Sequence, residues 1–167
     1  MKLRNWRQWP ALVVLALALM AGGCGGNDDD DDKESPEHEA EEAASGGLSA
    51  FELEHGIGPV KEPIELRAID AAMAATGKAV FEAKCTACHK MDTLYIGPAL
   101  GEVTARRSGA FIMNMILNPQ EMVERHPVAK QMLAERMSFM ANQNLTRDEA
   151  RAVLEYLRTQ SKNAPKP

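Results

Sequence analysis

The sequence predicts an all-α fold of about four to five helices preceded by a disordered tether, and three observations predict it. From Asp70 onward, apolar residues return at helical spacing in stretches that open on capping residues. Ahead of them lies a low-complexity acidic run that has too few apolar groups to build a core. Between the first two helical stretches stands Cys85-Thr86-Ala87-Cys88-His89, which reads C-x-x-C-H, the attachment signature of a c-type haem. Two thiols three positions apart can each form a thioether to one haem vinyl group. The histidine that follows then falls beneath the iron as an axial ligand. The helices are therefore expected to wrap around one covalent haem c. Other uses of the motif are a redox disulfide, or half of a zinc site with His89. No further Cys lies in the domain, and His126 is the only other His there, so a second zinc ligand pair is missing. A domain of around 100 residues is small for a free-standing core, and a bound haem supplies an apolar body to pack on.

Residues 1–23 have the layout of an export signal. Lys2, Arg4 and Arg7 form a basic start, and Pro10 to Ala21 an apolar run too short for a comfortable transmembrane helix. Ala21, Gly22 and Gly23 lead into Cys24, and this ending resembles a bacterial lipoprotein signal. The resemblance implies cleavage before Cys24 and a lipid on its thiol. It departs at Ala21, where such signals usually carry Leu. An ordinary cleaved signal and an uncleaved anchor are the alternatives. Each carries the chain across a membrane, which places the protein outside the cytoplasm, facing the periplasm.

Residues 24–49 read as an acidic tether. Between Cys24 and Leu66 there are 14 acidic residues against 2 basic ones, and from Arg67 to Pro167 14 basic against 10 acidic, an asymmetry hidden by the net charge of -5. The aspartates at 28–32 lack the spaced glycine and terminal glutamate of a calcium loop. Residues 50–69 return apolar groups (Phe51, Leu53, Ile57, Val60, Ile64, Leu66, Ile69) among Gly56, Gly58, Pro59 and Pro63, and read as an extended arm packed on the domain. His38 and His55, in tether and arm, are expected in solvent. The haem domain spans 70–162, and 163–167 form a frayed tail.

Within the domain a helix is expected over 70–84, with Asp70 as cap and Met73, Val80 and Phe81 inward. Gly77 inside it costs about 1 kcal/mol relative to Ala, which points to a close approach by another element. Further helices are expected over 108–117, ended by Asn118-Pro119, and over 127–137, with Val128, Met132 and Leu133 as core residues. The last begins at Thr146, where Thr146-Arg-Asp-Glu149 fits a capping box and Ala150, Val153, Leu154 and Leu157 share a face. Gly77, Phe81 and Cys85 stand at the Gly-x-x-x-aromatic-x-x-x-Cys spacing of small single-haem cytochromes c, and the domain resembles that family. The resemblance implies the class I cytochrome c fold, with Gly77 letting the first helix cross the last and Tyr156 facing the first helix. It implies that the Pro98 carbonyl accepts a hydrogen bond from the second ring nitrogen of His89, bracing the ligand. By the residues alone, Gly97-Pro98 is also a simple turn.

The resemblance places the sixth iron ligand on a methionine in the loop before the last helix, which Met140 matches six residues ahead of Thr146. The proline that often follows that ligand is Ala141 here. Met137 is the rival. His126 would give a bis-His haem, and Met113, Met115, Met122 and Met132 have helical, core-like settings. A His/Met pair fills both axial positions and raises the potential relative to bis-His. The expected function is a membrane-tethered one-electron carrier rather than an enzyme, with no catalytic residues assigned. Its partners would be a quinol-oxidising complex and an extracytoplasmic terminal reductase or oxidase, among them nitrous-oxide reductase. That last expectation comes from a resemblance to lipoprotein-type cytochromes accompanying respiratory reductases. Lys84, Lys90, Arg106 and Arg107 suit an acidic docking partner. The protein is read as a monomer that binds no nucleic acid. A haem peroxidase or a gas sensor with an open or displaceable sixth ligand is the alternative.

Overall fold

The computed structural model describes residues 47–162. The signal, Cys24, most of the tether with His38, and the tail after Lys162 lie outside the described residues. Within them there are seven helices. These are α1 Ala50–His55, α2 Ala71–Lys84, α3 Val103–Arg106, α4 Gly109–Leu117, α5 Pro119–Arg125, α6 Pro127–Arg136 and α7 Arg147–Gln160.

Helices α2 and α7 cross at the centre. Asp70 caps α2 by accepting from the Met73 amide at 2.9 Å. Thr146 and Glu149 form the reciprocal capping box of α7. Helix α2 buries Ala74, Gly77 and Phe81. Helix α7 buries Ala150, Val153, Leu154 and Leu157, the face expected from the sequence. A Cβ on Gly77 would overlap the Ala152 carbonyl and come within 2.9 Å of the Val153 amide nitrogen. The missing side chain is what allows the crossing. Phe81 and Tyr156 close it, with ring centroids 5.4 Å apart.

Helix α4 runs beside α7 and is capped by Ser108. Three helices were not expected from the sequence: α1, at the start of the arm, and α3 and α5 within the domain. Helix α3 is a single turn, and α5 starts at Pro119, which was read only as a terminator. Proline at the first helical position loses no hydrogen bond, so one residue both ends α4 and opens α5.

The segment 50–69 departs from the expected extended arm at its beginning. Residues 50–55 are helical because Ser49 and Glu52 supply a capping box. The extended path starts at Gly56, which has φ 78° and ends the helix. From there the segment is held by side chains of α4 and α5. Asn114, fully buried, accepts from Val60 N at 2.9 Å and donates to the carbonyls of His55, Gly56 and Val60 at 3.1, 3.3 and 3.0 Å. Ile57 N donates to Met122 Sδ at 3.0 Å. Leu48, Ile57, Phe111, Met122 and Ala129 form a second small core there. His55 corrects an expectation: its Nδ1 lies 2.8 Å from Ser108 Oγ and its side chain is largely covered. His126 is also buried, its Nε2 3.1 Å from Leu53 O.

The far end of the arm is pinned to α7 by an ion cluster. Glu155, buried, accepts from Asp70 N at 2.9 Å, Arg158 at 2.7 Å and Arg151 at 2.5 Å. Arg158 also donates to Arg67 O. Burial alone would raise the Glu155 carboxyl, but the hydrogen bonds from Arg151, the Asp70 amide and Arg158 outweigh it and hold the group below the ordinary 4.5. A carboxyl lowered on folding stabilises the native state fully above its unfolded value. That contribution is lost as pH falls below about 4.5 toward the folded value. Removing one partner of a buried pair leaves uncompensated charge. Glu155→Gln is therefore expected to cost about 3–5 kcal/mol at neutral pH in urea unfolding, and to flatten the acid limb of stability. An unchanged acid limb would show that this carboxylate does not control it.

Candidate haem-binding site

The C-x-x-C-H motif sits on the turn that ends α2. Cys85 is the C-cap residue, and its carbonyl accepts from Cys88 N at 3.1 Å and His89 N at 2.9 Å. This winding keeps both thiols and the imidazole within one turn of chain. No disulfide joins the two cysteines. Burial pushes the Cys85 thiol up to about 11, with Cys88 adding to the effect, so it is protonated at neutral pH. Among the described residues no group of three or more His, Cys, Asp or Glu is placed to hold a metal ion.

The following loop folds back onto the motif. Gly97 N donates to Cys88 O at 2.8 Å, Leu100 N to Lys90 O at 3.0 Å and Gly101 N to Met91 O at 2.9 Å. The fold-back brings Pro98 O to 3.0 Å from His89 Nδ1, so that nitrogen donates to the carbonyl and Nε2 is the ring nitrogen left for a ligand bond. Gly97 is as necessary as Pro98: a Cβ there would collide with the imidazole, 2.7 Å from Nδ1. The sequence reading used only the proline, although the adjacent glycine was a visible signal. Arg106 donates to Ala99 O at 3.0 Å and steadies the same loop.

Cys85, Cys88 and His89 face a cavity of about 320 Å³ that is lined mainly by apolar groups of α2, α4, α6 and α7. Met140 lines it and packs on the main core. Met137 does not: it is 90% exposed, in a left-handed conformation at the end of α6. His126 is buried in the second core, so the bis-His alternative has no support in this geometry. Met113 and Met122 are core, as expected, whereas Met115 and Met132 line the cavity. Lys84, Arg106, Arg107 and Arg136 bring positive charge to the lining, and Arg136 was not anticipated. Lys90 lies outside it, its Nζ 5.1 Å from the centre of the Tyr95 ring.

An apolar cavity that gathers two thiols, an imidazole braced at Nδ1 and a thioether fits a haem attached through both cysteines of the motif. Crossed terminal helices around such a cavity define a class I cytochrome c fold. The cytochrome c family profile matches residues 74–161, and the chain belongs to that family, whose haem c is covalent. It is 46% identical to a cytochrome c from Rhodothermus marinus, with a TM-score of 0.64 over 69% of this chain and 99% of that one. An engineered form of that cytochrome, bound to a carbene intermediate, is 47% identical with a TM-score of 0.61, over 67% of this chain and 97% of that one. A cytochrome c-551 from Stutzerimonas stutzeri is 49% identical over 43 residues, 25% of this chain and 41% of that relative.

Proposed function

We propose that the protein is a one-electron carrier whose haem c is held by thioethers from Cys85 and Cys88 and ligated by His89 and Met140. The observation that carries the reading is the convergence of His89 and Met140 on one apolar cavity, the imidazole already braced by Pro98. The haem supplies a single redox equivalent. The chain's part is to fix His89 through Pro98 and Gly97, to offer a neutral thioether, and to surround the site with apolar side chains. A neutral soft ligand and a dry setting favour the ferrous state.

We further infer that Cys24 carries a lipid anchor and that the acidic stretch tethers the domain on the periplasmic side. Electrons would pass from a quinol-oxidising complex to a terminal reductase, such as nitrous-oxide reductase, or an oxidase. Lys84, Arg106, Arg107 and Arg136 along the cavity support docking on an acidic partner. The native ferric protein is expected to show a low-spin spectrum with the far-red band of methionine-to-iron ligation. Transfer to an acidic partner is expected to slow steeply between 0.01 and 0.1 M salt, as the Debye length shrinks from ~30 to ~10 Å. A high-spin ferric spectrum would replace the carrier with an open-site protein, and salt-independent rates would remove the docking charges from the reading.

A further inference from the structure

Helix α4 touches two parts of the molecule that sequence reading kept separate. In its middle, Asn114 uses both ends of its amide on the arm, through four hydrogen bonds. At its last residue, the Leu117 carbonyl accepts from Asn142 Nδ2 at 3.3 Å, and Asn142 lies two residues beyond Met140. Phe111, Ile112, Met115 and Ile116, between and around these points, line the haem cavity. The arm fits α4 and α5 without slack. A Cβ on Gly58 would come within 2.5 Å of Asn114 Oδ1, and one on Gly56 within 2.9 Å of Met122 Sδ.

We propose that the arm is a strut for the methionine loop, and that Asn114 is a positioning residue that acts on Met140 through α4 and the Asn142–Leu117 hydrogen bond. The proposal rests on the reading of Met140 as the sixth ligand. With no partner but the arm, the buried Asn114 amide locks the axial position of α4 against residues 55–60, and the end of α4 then fixes where the 138–145 loop starts its return to α7. Asn142 Oδ1 accepts from Asn144 N at 2.8 Å, so the same side chain shapes the turn after Met140 and ties it to α4. The segment joining tether to domain thereby sets how firmly the thioether is held.

Imidazole in solution competes with Met140 for the iron, so its apparent affinity reads how firmly the methionine is held. Asn114→Ala in the full-length holoprotein is expected to tighten imidazole binding roughly tenfold, within the range of couplings carried through packed elements. Asn142→Asp keeps the acceptor for Asn144, removes the donor to Leu117 and adds an exposed negative charge. As a surface change it folds even if Asn114→Ala does not, and it is expected to tighten binding about threefold. Glu155→Gln destabilises the domain at the far end of the arm, around residues 67–70 and away from the 55–60 contacts that hold α4, and is expected to leave imidazole affinity unchanged. If Asn142→Asp binds imidazole as the native protein does, or if Glu155→Gln tightens binding as much as Asn114→Ala, the strut is overturned and the arm is merely structural. Met140→Ala separates the two readings. If it too binds imidazole with native affinity, the assignment of the sixth ligand is what fails.

Discussion

Gly77→Ala is expected to destabilise the holoprotein by about 3 kcal/mol, the upper part of the range for overpacking a close-packed contact. Alanine is the better helix former by about 1 kcal/mol, so propensity alone predicts the opposite sign. Geometry decides against propensity. The added methyl group would meet the Ala152 carbonyl and the Val153 amide nitrogen, and both are backbone atoms of a helix interior that cannot rotate aside. Relief requires α2 and α7 to part, which opens the Phe81–Tyr156 pair and the face of Val153 and Leu154. At about 4–8 °C per kcal/mol for a domain near this size, the melting temperature should fall by roughly 12–24 °C. A melt within ~2 °C of the native protein would mean the crossing has room that the structure denies it.

The second large effect is on redox potential. Met140→Ala removes the thioether from the cavity and is expected to lower the potential on the order of 0.2 V, inside the ~0.8 V span that axial ligands command. At 59 mV per factor of ten for one electron, that is roughly a thousandfold loss of preference for the reduced state. The ferric far-red band should vanish with it. Met137→Ala is expected to keep both band and potential, because that side chain is 90% exposed and does not line the cavity. Spectroelectrochemical titration of the two variants checks the pair. Loss of the band in Met137→Ala with retention in Met140→Ala would reverse the assignment.

Much of the site was legible because its chemistry is encoded locally. Cys85, Cys88 and His89 are contiguous and share one turn, and Pro98 is close enough in sequence for a single loop to return it to the histidine. The helix caps at Asp70, Ser108 and Thr146 were legible for the same reason, each acting within three residues. Long-range partners were not. Asn114 stands out in the apolar run Phe111-Ile112-Met113-Asn114-Met115-Ile116, but nothing local says that its amide reaches residues 55–60. Glu155 looked like one more charge on an amphipathic helix. It accepts from the Asp70 amide, and its partner Arg158 reaches the Arg67 carbonyl, both on a segment more than 80 residues away. His55 was assigned to solvent on composition, and the Ser108 hydroxyl overrides that.

The sequence by itself determined the haem motif, the helical class, the close crossing at Gly77 and a short set of candidate methionines, because each depends on spacing along the chain. The family resemblance also set Met140 ahead of Met137, and the apolar spacing set the arm against the domain; only the tertiary structure shows which methionine lines the cavity and which side chains hold the arm. Met137 and Met140 differ by three residues and are equivalent as chemistry. What separates them is that the chain leaves α6 through a left-handed residue, which turns Met137 outward, while Met140 lines the cavity. That placement is made by packing between distant elements.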